Sequence, residues 1–198
     1  LYKPLDKSFY MQDGITVSKS LLGKILVRKI NNKYILCKIV ETEAYMGPED
    51  KASHAYNNKR TKRTETMFKE GGCSYVYLIY GMYNCLNIVV NKKDIPQAVL
   101  IRAVEPLNYL NTIKTFRKIK SKRIYDLTNG PGKLCKALNI DKTFDGYDLI
   151  KGKELFIIDG SISNKIKESK RINIDYAEEY KNKLWRFYIE ENKFVSKK

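Results

Sequence analysis

The alternation of apolar and polar positions first becomes regular between residues 24 and 43, KILVRKINNKYILCKIVETE, where two β-branched runs flank Asn31-Asn32. Asparagine tolerates the left-handed backbone of a tight turn, so the pattern predicts a β-hairpin. Carried to its end, the second strand directs Glu41 and Glu43 to one face and Thr42 to the other, because strand side chains alternate with period two. From Ala44 to Lys62 the periodicity dissolves into Gly, Pro, Asn and charge, which predicts a long loop of the kind that tends to carry function. Residues 73 to 90, CSYVYLIYGMYNCLNIVV, predict a second β-rich stretch turning near Gly81, and QAVLIRAV at 97 to 104 predicts a third.

Helical spacing enters later. Glu105-Pro106 is read as opening a helix through Arg117, with Leu107, Leu110 and Ile113 on one side and lysines opposite. KIKSKR, 118 to 123, reads as a basic linker. LTNGPGKLCKALNI, 127 to 140, predicts a helix entered through Gly130 and Pro131. Short strands are expected at LFIID, 155 to 159, and RFYIE, 186 to 190, with a helix at 176 to 184. Strands and helices interleave without a regular βαβ alternation, which points to an α+β fold with a mostly antiparallel sheet. At 198 residues and 43% apolar, the chain fits one domain spanning 1–198, since single cores run to about 250 residues.

Composition then narrows the function. Thirty-eight Lys and Arg against 22 Asp and Glu give a net charge of +16, enough to attract a polyanion, with nucleic acid the leading candidate. Solvated lysine is the plainer reading of the same excess. No window approaches the roughly 18 apolar residues of a membrane span, and LYKPLDKSFY lacks the apolar region of a secretory leader. The expectation is a soluble, intracellular protein with no membrane partner. Cys37, Cys73, Cys85 and Cys135 lie 36, 12 and 50 positions apart, and with a single histidine they form no zinc pattern. They read as reduced core residues, and neither a metal nor an organic cofactor is expected.

The most unusual stretch is ETEAYMGPEDKASHAY, 41 to 56, which places Glu41, Glu43, Glu49 and Asp50 beside Tyr45, His54 and Tyr56 in a polycation. A strand-end carboxylate beside an aromatic wall, fixed by a cation, suits general-base activation of water, although alternation alone does not choose between Glu41 and Glu43. Arg102 lies in the apolar strand VLIRAV, where a guanidinium needs a carboxylate; Glu105 is the local candidate and Glu43 the candidate across the sheet. Tyr75, Tyr77, Tyr80 and Tyr83 fall within nine residues. They read either as cross-strand pairs or as groups that stack on an extruded base and wedge into a base stack. GPGK at 130 to 133 does not complete a nucleotide-binding loop; a plain helix start is the simpler reading, and Lys133 holding a backbone phosphate there is the alternative.

Four strings, VETEAYMGPEDKASHAY, MFKEGGCSYVYLIYGMYNCLNI, VLIRAVEPL and NGPGKLCKALNI, resemble the alkyladenine (3-methyladenine) DNA glycosylase family, in order and with similar spacing from about Leu21 to Tyr188. The resemblance implies a single α+β domain around a curved antiparallel sheet that flips a damaged purine out of duplex DNA and hydrolyses its N-glycosidic bond. It assigns Glu43 as the general base, with Arg102 and a backbone carbonyl near Ile174 holding the water. Tyr45 would stack on one face of the flipped base, and His54 and Tyr77 on the other. Tyr80 would fill the vacated stack, and Asn87 would crowd the 2-amino group of guanine. The family pattern departs at 57 to 66 and 171 to 180. Lys59, Arg60, Lys62, Arg63 and Lys133 are the expected DNA-backbone contacts, and a monomer acting on double-stranded DNA with damaged purines is the expected state. The alternative is a non-catalytic nucleic-acid-binding protein.

Overall fold

A computed structural model describes residues 2–119, 123–162 and 164–197. Two short helices, α1 (Lys7–Tyr10) and α2 (Gly14–Leu21), precede the first strand. The sequence pattern assigned no element there. Asp13 caps α2 by accepting the N–H groups of Ile15 and Thr16, and Val17, Ser18 and Leu21 turn inward from it. The strands are β1 (Ile25–Ile30), β2 (Lys33–Tyr45), β3 (Ser74–Ile79), β4 (Tyr83–Val90), β5 (Gln97–Pro106), β6 (Leu155–Ile158), β7 (Ile166–Ser169) and β8 (Arg186–Ile189). Two further helices, α3 (Leu110–Arg117) and α4 (Pro131–Ala137), lie between β5 and β6. Every strand pairing is antiparallel, so the α+β expectation holds.

The sheet runs β3-β4-β5-β2-β1-β6, with β8 added to β2 and β7 to β8. One strand serves two neighbours on the same edge. The first half of β2 pairs with β1 through a turn in which Asn31 and Asn32 both have positive φ, and Glu41, Thr42 and Glu43 in its second half pair with β8. Against β5 the register breaks twice: Ile39 faces Val104, Glu41 faces Ala103, and Thr42 faces Ile101. Val40 is therefore the extra residue on β2 and Arg102 the extra residue on β5, two compensating bulges at adjacent pairs. Bulges bend a sheet and re-aim the unpaired side chain. Thr42 donates its hydroxyl to the Ser18 carbonyl of α2 at 2.8 Å, while Glu41 and Glu43 meet Arg102.

Beneath the sheet, α2 packs on β2 and β5, α4 on β4 and β5, and α3 on α4. Leu26, Ile39, Val76, Leu86, Ile101 and Leu134 belong to the main core. All four cysteines are buried. Among the described residues no helix is long and apolar enough to cross a membrane.

Several boundaries differ from the pattern. β2 runs to Tyr45, two residues past Glu43. Pro106 closes β5 opposite Cys37, and the Leu107 N–H donates to the Leu36 carbonyl, so the following helix begins only at Leu110. Residues 176 to 184 form no regular helix: Asp175–Asn182 is 3-10 in character and breaks at Ala177 and at Glu178, whose φ is +48°. The break lets Lys51 pair with both Glu178 and Glu179, at 2.6 and 3.0 Å. Part of the expected basic linker at 118 to 123 lies outside the described residues.

The loop after β2 is ordered by one buried carboxylate. Asp50 accepts the N–H groups of Met46 and Ala52 and receives both terminal nitrogens of Arg171 at 2.6 and 2.8 Å, with both side chains fully buried. A bidentate guanidinium pair of this kind fixes orientation as well as charge. Asp50→Ala leaves the Arg171 guanidinium buried without its partner and is expected to lower the unfolding free energy by about 3–5 kcal/mol. Adding Arg171→Met should recover most of that loss in urea titrations; equal stability of wild type and Asp50→Ala would show that the pair does not anchor the loop.

Candidate active-site cleft

The curved end of the sheet opens into a cleft of about 650 Å³, bounded by the β3–β4 hairpin, the loop after β2, residues 172–176 and the facing ends of α3 and α4. Arg102 lines it, and behind Arg102 lie the two acids. Glu43 is fully buried; one of its carboxylate oxygens accepts the Ile172 N–H at 2.8 Å. The other accepts the Tyr45 hydroxyl at 3.0 Å and lies 3.3 Å from an Arg102 terminal nitrogen. Glu41, also fully buried, takes the Arg102 Nε at 3.2 Å and the Arg186 Nε at 2.7 Å. Arg102 thus bridges both candidates, and Glu105 instead accepts the Asn192 side chain at 2.9 Å. Burial alone would lower the Arg102 pKa, but Glu43 and Glu41, with Tyr45, outweigh it and raise it above its ordinary value. Glu49, the fourth acid of the stretch, is exposed, and Asp50 is committed to Arg171.

Aromatic rings form the cleft walls. Tyr45 stands beneath the Arg171 guanidinium, 4.8 Å from its ring centre. Burial, then the Glu43 charge and Tyr77, push its phenol well above the ordinary value, so it stands as a donor to Glu43. On the same cleft lining, His54 meets Tyr77 edge to face at 4.6 Å, and its Nδ1 lies 3.0 Å from the Tyr75 hydroxyl. Arg63 approaches His54 Nε2 at 3.5 Å and can only donate, which leaves the proton on Nδ1. Tyr56, expected in the same wall, is not among the cleft-lining residues. Asn87 sits between Tyr75 on β3 and Leu100 on β5, its amide nitrogen donating to the Tyr75 carbonyl at 3.1 Å.

Tyr80 and Gly81 form the tip of the β3–β4 hairpin, both with positive φ, closed by the Met82 N–H on the Ile79 carbonyl at 3.1 Å. Two consecutive positive-φ residues match the right-handed twist of the strands. The tip leaves Tyr80 77% exposed at the cleft edge.

Of the expected backbone contacts, Lys133 lines the cleft, where it donates to Asn129 at 2.7 Å. Lys59, Arg60, Lys62 and Arg63 do not line it. Arg60 pairs with Glu65 at 2.6 Å and Asp94 at 2.9 Å, and Arg63 lies over the Tyr77 ring at 5.3 Å. The pattern singles out none of Arg117, Lys118 and Lys136, which line the cleft beside Lys133; Lys118 falls in the stretch it reads as a basic linker. It also missed Arg171 and Arg186, whose partners lie more than 100 residues away in the chain. The Ile174 carbonyl accepts the Ala177 N–H at 2.9 Å, and the backbone group on Glu43 is the N–H of Ile172. Among the described residues no group of three or more His, Cys, Asp or Glu is placed to hold a metal ion.

Residues 8–193 match the methylpurine-DNA glycosylase family model. Similar proteins named as candidate 3-methyladenine DNA glycosylases include one from Natranaerobius thermophilus, 55% identical over 97% of this chain and 98% of its own. One from Clostridium novyi is 53% identical over 99% and 100%, and one from Borreliella afzelii 54% over 98% and 100%. The chain belongs to the methylpurine-DNA glycosylase family and is by that membership a DNA N-glycosylase, a hydrolase of base excision repair.

The cleft also carries a pH signature. Burial, and secondarily Arg63, push the His54 pKa down to about 4 from its ordinary 6.5. Between those values the unfolded chain binds more protons than the folded one. The neutral imidazole's contribution is therefore intact above pH 6.5 and drains as pH falls toward 4. His54→Gln should flatten this slope: urea midpoints at pH 7 and pH 4.5 are expected to diverge more for wild type than for the variant. An equal drop in both would show that His54 is not held neutral.

Proposed function

We propose that this glycosylase extrudes an alkylated purine of the 3-methyladenine type from duplex DNA and hydrolyses its N-glycosidic bond with water activated by Glu43. It would act monofunctionally, as one domain and as a monomer; deaminated purines are the second substrate class in this reading. The observation that carries it is Glu43 itself: a fully buried carboxylate held by Tyr45, Ile172 and Arg102 behind an aromatic-walled cleft, in a chain of net charge +16.

A duplex hides the glycosidic bond, so the nucleotide must leave the stack, at a cost of a few kcal/mol that is least for a damaged base. Tyr80 restacks the gap, and the extruded base lies between Tyr45 on one side and His54 with Tyr77 on the other. A 3-alkylated adenine carries positive charge, so it leaves as a neutral base, taking the bonding electrons without needing an acid. The sugar approaches an oxocarbenium ion, which the Glu43 charge favours. Water then attacks C1′ as Glu43 takes its proton, giving free base and an abasic site. Arg102 and a backbone carbonyl near Ile174 orient the water, and Asn87 crowds a 2-amino group. Lys133, with Arg117, Lys118 and Lys136 along the same cleft, supplies charge for backbone phosphates.

Glu43→Gln keeps the shape but removes the base and replaces one of its two accepting oxygens by a donor. Single-turnover incubation with a duplex carrying one alkylated purine, read as alkali-labile scission, is expected to show a loss of about 100-fold or more. Excision at the wild-type rate would overturn the assignment. Tyr80→Ala should weaken binding to lesion duplex by several-fold more than to the same lesion in a single strand, because only the duplex offers a stack to refill. Equal losses on both would remove the wedge role.

A further inference from the structure

We propose that Glu41 is a positioning residue for base excision and that residues 194–197 form the strap that holds it in place. The inference rests on the reading of Glu43 and Arg102 above. Glu41 does not line the cleft, and both its oxygens are occupied. One takes Arg102 Nε at 3.2 Å, Arg186 Nε at 2.7 Å and the Ser196 hydroxyl at 2.9 Å; the other takes the Ser196 N–H at 2.6 Å. Of its partners only Arg102 lines the cleft. Its effect on the reaction passes through Arg102.

That guanidinium is fixed on three sides. Its Nε is on Glu41, one terminal nitrogen lies 3.3 Å from Glu43, and the other lies 3.5 Å from the Ser196 hydroxyl. The five N–H groups of a guanidinium keep a rigid fork, so pinning Nε determines where the terminal nitrogens point. Arg102 is the extra residue of the β5 bulge, where the ladder does not set its direction. Glu41 and Ser196 supply that direction.

The strap is anchored independently. Phe194 and Val195 are buried in the main core. The Phe194 N–H donates to the Asn192 side chain, which in turn donates to Glu105, both at 2.9 Å. Arg186 donates to the Lys197 carbonyl and to Ser169 at 3.0 Å. Stability alone gives little reason for this arrangement, because apolar side chains of similar volume commonly replace a buried ion lattice at no loss. What the lattice adds is the orientation of one guanidinium.

The test measures single-turnover excision from an alkylated duplex across enzyme concentrations, separating maximal rate from half-saturating concentration. Glu41→Gln is expected to lower the maximal rate at least tenfold, in line with the sensitivity of catalysis to small misplacements, with half-saturation within about threefold of wild type. Ser196→Ala, which removes only a hydroxyl and guards against a folding failure in the first variant, should lower it about threefold, and Ser196→Thr should restore it. A loss confined to thermal stability or to the titrated fraction of active enzyme would mark a merely structural role and overturn the proposal. Unchanged rates for both Glu41→Gln and Ser196→Ala would do the same. If Glu43→Gln abolishes excision while Ser196→Ala and Glu41→Gln are silent, only the positioning role falls. If Glu43→Gln excises normally, the underlying reading falls first.

Discussion

One guanidinium between two buried carboxylates is the constraint around which this fold is arranged. Arg102 is 8% exposed, and Glu41 and Glu43 are fully buried. Charges taken out of water cost several kcal/mol each unless paired and hydrogen-bonded, so their oxygens and nitrogens must find partners. The sheet provides them by breaking its own regularity. The compensating bulges at Val40 and Arg102 bring the β5 side chain between two acids of β2. Pairing with β8 places Arg186 opposite Glu43 in register and within reach of Glu41. The Ile172 N–H and the Tyr45 hydroxyl complete Glu43, and the latter draws an aromatic ring to the edge of the cleft. Elements far apart in the chain are drawn to one point because the charges there cannot be left alone.

The legible part of this design was local. The Asn31-Asn32 hairpin, the strand from 97 to 104 and the Gly81 turn declare themselves through period-two alternation flanked by residues that accept positive φ. Placing Glu41 and Glu43 opposite Thr42 needed only alternation, and the contacts of Thr42 with Ser18 and of both acids with Arg102 agree with it. An aromatic wall and a strand arginine beside the carboxylates were also legible in the residues, but the roles of individual tyrosines came only from resemblance to a family, since a tyrosine in a strand carries the same pattern whether it faces a core or a substrate. What stayed hidden was non-local. Arg102 as a bulged residue depends on register, and register is a property of two strands. Glu105-Pro106 has the composition of a helix start, yet the adjacent Leu107 N–H is taken by Leu36 across the sheet, which outweighs local preference. The acids at 178 and 179 have helical spacing but serve Lys51.

Charge shows the same division between composition and position. A net charge of +16 argues for a polyanionic partner without saying where it lies. In the structure the basic loop at 57 to 66 is partly neutralised from within, Arg60 by Glu65 and Asp94. The cleft instead meets Arg117, Lys118, Lys133 and Lys136, from the ends of two helices that the sequence separates and the fold packs together. Long-range attraction is thus a property of the whole molecule, whereas the cations near the proposed chemistry are set by the packing of α3 against α4.

The hairpin tip reconciles the polar interior with the surface. Tyr80 holds φ at +52°, a conformation in which a bulky residue is uncommon and an L-residue other than glycine gives up about 1–2 kcal/mol. Asparagine, used in the β1–β2 turn, would serve the backbone better. Nor does the side chain recover the cost by burial, being 77% exposed, with Met82 at 69%, Tyr83 at 50% and Leu78 at 45% beside it. A strained backbone and an unburied apolar cluster on one turn are hard to account for as contributions to stability, since neither lowers the free energy of the folded chain. On the proposed reading the missing burial is supplied by a partner with stacked faces and a gap to fill, and the strain at the tip is the cost of holding Tyr80 ready for it.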